Sequence, residues 1–373
     1  MKNKIILLSA IVAYMLTACD NPMRFETKVH EDGSLDKTII LEKADSSRVE
    51  NNIFGINQKK GWNVDIQKLP SDNSKEKSKS EFRIQFQKSF ASAEAINNEL
   101  DLANDSLFHV HAKFEKKFRW FYTYLSYTET IRPINRFTMV STEDFFNEED
   151  HSFVDRLPAE GKSISKADSL YLQMLNEKIS DHFANMGIFK EQYKILEEAI
   201  KRSSLEKRWL DTLYKNQEFI YNHIDKMKGE HDFAAKIADS LKIPLPKPQS
   251  SKDFKELSKE FNTRLDFMAF TRDGKYVNII EMPLAVTYSN ADSVAGNKLY
   301  WRPLVTKFVF KDYTMYAEGR RLNLWAVALS LVILGITVYV FRRKWVDAVR
   351  GLETGRWQQA DQEFKIKEKF LRY

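Results

Sequence analysis

The sequence predicts an α+β protein: an antiparallel sheet domain with a helical-bundle insertion, followed by one C-terminal transmembrane helix. Three observations support this class. Segments with the alternating apolar period of β-strands lie on both sides of residues 142–266, and those residues have a helical period instead. The third observation is an uncharged apolar stretch, residues 322–341, whose length is sufficient to cross a bilayer.

The amino terminus has the features of a lipoprotein signal peptide. Residues 1–18 begin with two lysines and continue through a short apolar run. The run ends in Leu16, Thr17 and Ala18, directly before the single cysteine of the chain, Cys19, and this order resembles the bacterial lipobox. The resemblance implies cleavage before Cys19 and acylation of its sulfur. Two or more acyl chains would then anchor the protein stably.

Residues 19–141 are predicted to form the first part of the sheet domain. Two strands flank Asp32 and Gly33, and an Asp-Gly pair between strands is a strong hairpin signal. A helix is predicted over 44–56, and cleanly alternating residues predict a strand over 81–90.

A pair of strands is predicted over 106–114 and 117–130, and the second strand has aromatic residues on both faces, which is typical of a central strand. Three of its side chains, Trp120, Tyr122 and Tyr124, are predicted to share one face. They are candidates for a surface that contacts an acyl or sugar ligand. Ordinary core packing is the alternative.

The segment 142–266 is predicted to be a helical insertion. Its apolar residues recur at helical spacing and the other positions are rich in lysine and glutamate, as in a small bundle. Strand character returns over 267–319, where the runs 267–271 and 275–282 flank a second Asp-Gly pair and predict a hairpin. Two separate small β pieces would each bury little core, so we expect the late strands to join the early sheet.

The apolar stretch at 322–341 contains twenty residues and no charge. A helix rises about 1.5 Å per residue, so this stretch spans about 30 Å, the thickness of a hydrocarbon core. Trp325 and Tyr339 lie near its two ends, where interfacial aromatic residues are common. We therefore predict a transmembrane helix over 320–343, with a buried core helix as the alternative.

The charge distribution argues against nucleic-acid binding. The formal net charge is +6, of which +4 lies in residues 342–373 and +2 in residues 1–18, so residues 19–341 are neutral. A folded nucleic-acid-binding domain carries a net-basic footprint, which is missing from this region. The basic tail at 344–373 is instead predicted to lie on anionic lipid.

His109 and His111 are weak candidates for metal ligands, because alternate residues of a strand lie on one face. A zinc site needs three or four ligands, so two partly exposed strand histidines are the alternative. The sequence contains no HExxH motif, phosphate-binding glycine loop or nucleophile elbow, and its Ser-x-x-Lys matches lack Lys-Thr-Gly. We predict no cofactor and no enzymatic activity. The alternative is an envelope-metabolism enzyme with an unrecognised histidine-metal site.

Two groups of residues match the pattern of one known family. The early group contains 31–34 (Glu-Asp-Gly-Ser), 61–64 (Gly-Trp-Asn-Val) and 86–90 (Phe-Gln-Lys-Ser-Phe), and the late group lies within 282–301. Together with the lipobox and the apolar helix, this order resembles LppM-type lipoproteins of the bacterial envelope. The resemblance implies a protein that binds or handles envelope glycolipids.

These features predict a bacterial lipoprotein held at both ends in the inner membrane. A lipid-modified Cys19 must lie outside the cytoplasm, so a single later span puts the main domain in the periplasm and residues 344–373 in the cytoplasm. We predict that the periplasmic domain is a binding module or scaffold. Its expected partners are membrane lipid, an envelope lipid or glycolipid ligand, and an unknown membrane protein.

Overall fold

The computed structural model describes most of the chain, namely residues 21–50, 52–70, 81–104, 106–203, 205–223, 233–245 and 252–370. The predicted signal peptide, the lipobox residues and Cys19 lie outside these ranges. Two compact units are present. The first contains the described residues up to Glu115 together with Leu125–Gly319, and the second contains Lys116–Tyr124 and the residues from Arg320 onwards.

The described residues form eleven strands in two sheets. In chain order the strands are β1 (Asn21–Val29), β2 (Leu35–Ala44), β3 (Asn63–Lys68), β4 (Phe82–Phe90), β5 (Val110–Phe118), β6 (Tyr122–Ile131), β7 (Gly274–Glu281), β8 (Val286–Ser289), β9 (Ser293–Ala295), β10 (Lys298–Trp301) and β11 (Tyr313–Leu322). One sheet has the order β3-β4-β2-β1-β7-β10-β9, and the other has the order β5-β6-β11-β8.

The described residues also form nine α-helices. They are α1 (Ala93–Leu100), α2 (Glu148–Arg156), α3 (Lys166–Glu177), α4 (Asn185–Arg202), α5 (Lys207–Lys215), α6 (Gln217–His223), α7 (Phe233–Ser240), α8 (Lys252–Arg272) and α9 (Leu324–Phe370). A π-helical segment, Lys178–Ala184, joins α3 to α4.

The predicted α+β class is confirmed, and strands from both sides of the helical segment lie in one sheet. β7 pairs with β1 from Gly274 opposite Asn21 to Glu281 opposite Lys28. This pair is parallel, whereas the sheet was expected to be antiparallel. The chain reaches β7 through α8 rather than through a hairpin, and a helix is the usual connection that leads into a parallel pairing.

The strand predicted over 267–271 is wrong, because these residues form the end of α8. The hydroxyl of Thr271 donates to the carbonyl O of Phe267 at 2.8 Å, and the hydroxyl of Tyr276 on β7 donates to Thr271 O at 2.8 Å. Phe267 is buried in the core of the sheets. A short apolar run of this kind fits a buried strand and a buried helix equally well, so its period did not decide between them.

The helix predicted over 44–56 is also wrong. The described residues there contain one 3₁₀ turn, Ser46–Val49. The side-chain oxygen of Asn52 accepts the N–H groups of Phe54 and Ile56, each at 3.2 Å. An asparagine that binds nearby backbone in this way competes with the hydrogen bonds of a helix.

A buried ion pair connects the helical segment to the residues that follow β6. The carboxylate of Glu191 on α4 accepts the N–H and the hydroxyl of Thr138 at 2.7 and 2.8 Å. Arg264 on α8 donates to both oxygens of Glu191, at 2.9 and 3.2 Å, and to the carbonyl O of Arg136 at 2.8 Å. Burial opposes ionisation of Glu191, but the hydrogen bonds from Arg264 and Thr138 outweigh it and lower the pKa of the carboxyl.

α9 contains the predicted membrane span. Its segment Leu324–Arg350 has 27 residues and is long and apolar enough to cross a membrane. Only 6% of the most apolar stretch of this segment is buried. A core helix of a soluble protein would be mostly buried, so the exposure argues against that alternative. The helix continues without a break through the basic tail to Phe370.

Candidate functional site

The chain reverses direction inside the strand predicted over 117–130. The N–H of Arg119 donates to the carbonyl O of Tyr122 at 2.8 Å, and the N–H of Tyr122 donates back to Arg119 O at 3.1 Å. β5 and β6 are the predicted pair of strands and form a hairpin, but its turn lies inside the segment predicted as the second strand, so the predicted position of the turn is wrong. The loop residues of this hairpin are Trp120 and Phe121, so it lacks the glycine, asparagine, aspartate or proline that signals a hairpin.

The three aromatic residues predicted to share a ligand face are divided by this hairpin. Trp120 lies in the loop and is 45% exposed. Tyr122 and Tyr124 occupy alternate positions of β6, partly buried, with ring centres 6.2 Å apart. The guanidinium of Arg320 lies 4.8 Å from the centre of the Tyr122 ring. Only the two tyrosines share a face.

His109 and His111 both bind Asp101, the residue that caps the end of α1. The Nδ1 atom of His109 lies 2.7 Å from the carbonyl O of Asp101, and Nδ1 of His111 lies 2.8 Å from its carboxylate. A carbonyl oxygen only accepts, so Nδ1 of His109 carries the proton. Burial lowers the pKa of His109, and the positive charge of Arg136 acts in the same direction.

This arrangement favours a structural role for the two histidines. Within the described residues, no group of three His, Cys, Asp or Glu side chains is placed to hold a metal ion. Arg132 lies 3.5 Å from the same Asp101 carboxylate, and a cation there would repel a metal. The histidines connect the end of α1 to β5 through Asp101.

A serine, an aspartate and a histidine meet beside the first hairpin. His30 Nε2 lies 2.8 Å from one carboxylate oxygen of Asp36, and the hydroxyl of Ser89 donates to the other at 2.6 Å. The hydrogen bonds from Ser89 and His30 lower the pKa of Asp36. In a nucleophilic triad the histidine lies between the serine and the carboxylate. Here the carboxylate lies between them, so His30 is not placed to take the serine proton.

A charged cluster is buried between the two sheets. Lys37 on β2 is fully buried, and its Nζ lies 2.5 Å from Glu129 Oε1 on β6. The same Nζ donates to the Thr27 hydroxyl at 2.9 Å, and that hydroxyl donates to Glu129 Oε2 at 2.9 Å. Tyr127 also donates to Glu129, at 3.0 Å. Burial, followed by the charge of Glu129, holds the pKa of Tyr127 well above its usual value.

This cluster was not among the residues predicted from the sequence, although one signal indicates it. Lys37 occupies an inward position of β2, in register with the buried residues Leu35, Ile39 and Leu41. A lysine in an apolar register indicates either an error in the register or a buried partner. Its partner, Glu129, lies 92 residues away in the chain, so no local pattern identifies it.

The residues that carry the family resemblance have structural roles. The indole N–H of Trp62 donates to one carboxylate oxygen of Glu99 at 2.9 Å, and the ammonium of Lys88 binds the other. In the late group, the buried indole of Trp301 donates to the backbone O of Asn290 at 3.1 Å. These contacts join turns and strands to one another, which is a structural role.

A small cleft lies at the start of β1, and we call it the N-terminal cleft. Its volume is about 230 Å³, and its lining residues are Pro22, Met23, Leu41, Glu42, Lys43, Ala44, Asp45, Arg48 and Phe270. Ligand pockets commonly enclose about 300–1,000 Å³, so this space fits a head group or part of a chain rather than a whole lipid.

A β-bulge shapes the N-terminal cleft. The pairing of β2 with β4 shifts register between Leu41 and Ala44, and Lys43 inside this bulge has φ 54°. A lysine in the left-handed region is strained, and such strain clusters at functional sites. Opposite the bulge, the guanidinium of Arg48 lies 4.4 Å from the centre of the Phe270 ring.

Two carboxylates, Glu42 and Asp45, also line the N-terminal cleft; Glu42 lies 3.3 Å from Arg83, and Asp45 accepts the N–H of Ser47 at 2.9 Å. The cleft therefore combines an apolar wall with two cations and with two carboxylates that have other partners.

Comparisons with known proteins give one weak likeness. No family model matches the sequence, and no curated protein matches it. Among solved structures, the folded domain of Mycobacterium tuberculosis LppM, determined by NMR, is similar over 82% of this chain and 93% of that chain. The sequence identity is 9% and the TM-score is 0.26, values too low to assign a family or a function.

Proposed function

We propose that the chain is a bacterial envelope lipoprotein whose periplasmic domain binds the head group of an envelope lipid or glycolipid without enzymatic chemistry. Acylated Cys19 and α9 anchor it in the inner membrane, and the basic tail lies in the cytoplasm. The observation that carries the binding proposal is the N-terminal cleft. Its walls combine buried apolar side chains with the cations of Lys43 and Arg48 and the carboxylates of Glu42 and Asp45.

The position of the N-terminal cleft supports a ligand that resides in the membrane. Pro22 lines the cleft and follows Cys19 by three residues. A fully extended chain spans at most about 3.6 Å per residue, so these residues lie within about 11 Å of each other. A lipid anchor at Cys19 therefore keeps the cleft close to the headgroup layer.

Arg48 is the group in the N-terminal cleft that would bind an anionic ligand, because the carboxylates of Glu42 and Asp45 are engaged with Arg83 and the N–H of Ser47. Arg48 is partly buried against Phe270, and a guanidinium in this setting binds phosphate or carboxylate through paired hydrogen bonds. Met23 and Leu41 are buried at the cleft wall and offer apolar contact to the first carbons of a lipid.

The test is the lipid that co-purifies with the full chain. The wild-type chain and an Arg48→Glu variant are extracted in mild detergent, and bound lipid is measured by native mass spectrometry. We expect the wild type to retain an anionic lipid and the variant to lose most of it. Arg208→Glu is the matched control, because Arg208 also lies against an aromatic ring, that of Trp209 at 5.0 Å, outside the cleft. A wild-type chain without bound lipid would overturn the proposal.

A further inference from the structure

The β5–β6 hairpin loop lies against the first turns of α9, within the second unit. The indole N–H of Trp120 donates to the Ser330 hydroxyl at 2.8 Å. The rings of Phe118 and Trp325 are stacked with centres 6.0 Å apart, and those of Trp120 and Trp325 meet edge to face at 5.7 Å. The loop is thus fixed to the helix by both ring contacts and a hydrogen bond.

The rings at this contact are large and remain open to their surroundings. Phe118 is 58% exposed, Trp120 and Phe121 are each 45% exposed, and Trp325 is 56% exposed. Soluble proteins rarely expose contiguous apolar patches of this kind, and Trp is enriched where a membrane meets water. We call these four residues the aromatic collar.

Asn323 satisfies the backbone of the hairpin loop. Its N–H donates to the carbonyl O of Phe121 at 2.8 Å, and its side-chain amide donates to those of Arg119 and Trp120 at 2.9 and 3.3 Å. Its side-chain oxygen accepts the hydroxyl of Thr123 at 2.8 Å. Irregular backbone at membrane depth must find such partners, because lipid offers none.

The aromatic collar contacts α9 beyond its first turn. Ser330 follows Leu324, the first residue of α9, by six residues, which is about 9 Å along the helix axis. Trp120 therefore lies beside the apolar part of the segment that is long enough to cross a membrane. Any bilayer that surrounds this part of α9 also surrounds Trp120.

The charge around the aromatic collar complements anionic lipid. The two segments that form this contact, residues 116–124 and 320–324, contain five Lys or Arg and no Asp or Glu. The side chains of Arg119 and Arg320 are exposed. Basic residues beside an apolar membrane segment are attracted to anionic headgroups.

We infer that the β5–β6 hairpin is a further membrane contact besides Cys19 and α9, in which the aromatic collar inserts into the headgroup–hydrocarbon boundary and the surrounding cations bind anionic headgroups. This inference rests on the proposed membrane-spanning role of α9. It does not depend on the N-terminal cleft.

Spin-label accessibility in the full chain tests the inference. Single cysteines are introduced as Phe121→Cys, Val332→Cys and Tyr214→Cys in a Cys19→Ser background, where α9 remains as an anchor. Each labelled chain is reconstituted in nanodiscs of phosphatidylglycerol and phosphatidylethanolamine. Val332 lies on exposed α9, and Tyr214 is an exposed aromatic residue of the first unit. Oxygen collides with labels in lipid, whereas a water-soluble nickel chelate collides with labels in water.

We expect the oxygen-to-nickel ratio at position 121 to approach that at 332 and to exceed that at 214 severalfold. A lipid-like ratio at 332 with a water-like ratio at 121 would overturn the inference while leaving the membrane helix intact. A water-like ratio at 332 would overturn the proposed span, and the inference with it. Phe118→Cys is the second label site, because this residue is also exposed and lies next to the loop.

The electrostatic part of the inference has its own test. Arg119→Glu is combined with the label at position 121 and measured in the same anionic nanodiscs and in phosphatidylcholine nanodiscs. We expect the ratio at 121 to fall in anionic nanodiscs and to change less in phosphatidylcholine. An equal response in both lipids would assign the contact to the aromatic rings alone and overturn the role of anionic headgroups.

Discussion

At the scale of single residues, Lys37 shows how a charge is accommodated in the core. Moving an ammonium out of water is costly, and the mutual attraction with Glu129 repays that cost only when other hydrogen bonds complete the site. Thr27 and Tyr127 supply them here. Since the pair joins β2 in one sheet to β6 in the other, it also restricts how the two sheets face each other.

Removing one member of this pair is expected to be more damaging than removing both. Lys37→Met leaves Glu129 buried without its counter-ion, so we expect the free energy of unfolding to fall by about 3–5 kcal/mol. The double variant Lys37→Met/Glu129→Leu should recover most of this loss. Denaturant unfolding of the full chain in detergent micelles, followed by tryptophan fluorescence, measures both.

A surface lysine provides the control for this prediction. Lys201 pairs with Glu197 on α4 at 2.8 Å, and both side chains are exposed. Lys201→Met should leave the stability close to that of the wild type, because an exposed ion pair contributes little. A double variant as unstable as Lys37→Met alone would contradict the explanation, because the unpaired charge would then not be the cause.

At the scale of secondary-structure elements, Glu191 and Arg264 join α4 and α8 to the segment that leaves β6. Each helix has its own apolar stripe, and together they build a core separate from that of the sheets. The ion pair also satisfies the N–H of Thr138 and the carbonyl O of Arg136. The sequence pattern predicted the helices individually, but not this connection.

Glu191→Gln is expected to weaken this connection and the resistance of the protein to acid. The pKa of Glu191 in the folded chain lies below its ordinary value of 4.5. The contribution of Glu191 to the stability of the protein is therefore fully present above about pH 4.5. It is lost as the pH falls through the pKa of Glu191 in the folded chain, because the unfolded chain binds the proton more tightly. The unfolding midpoint of the wild type should fall on acidification.

The variant should be less stable at pH 7 and should lose less stability than the wild type below about pH 4.5. Denaturant midpoints of the wild type and the variant, measured from pH 7 to below about pH 4.5, give the stability at pH 7 and its loss in acid. Glu197→Gln on the same helix is the control, because its exposed pair with Lys201 contributes little. Parallel pH curves for Glu191→Gln and the wild type would contradict the role of Glu191.

At the scale of the whole molecule, the first unit depends on strands from both sides of the helical segment. β1 lies between β2 and β7, and the core between the sheets contains residues from 23 to 317. Tyr276 on β7 and Trp301 on β10 are among its largest fully buried side chains. The fold is therefore complete only when the strands that follow the helical segment have joined the sheets.

Truncation tests this dependence. A chain ending at Asp273 lacks β7 and exposes the edge of β1, so we expect it to unfold without cooperativity and to be digested rapidly by protease. A chain ending at Leu322 retains every strand and lacks α9, so we expect it to unfold cooperatively. Circular dichroism during heating and limited proteolysis distinguish the two. A cooperative transition in the shorter chain would show that the early strands fold alone.

Local periodicity in the sequence determined the α+β class and the helical segment, because residues two to four positions apart decide which face of an element is apolar. The length of an uncharged run determined the apolar helix. The tertiary structure decided what depends on residues far apart in the chain: the parallel pairing of β1 with β7, the burial of Lys37 against Glu129, and the N-terminal cleft. It also decided the hairpin at Trp120 and Phe121. No turn residue marks that reversal, and the contacts of the loop with Asn323, Trp325 and Ser330 lie about 200 residues later.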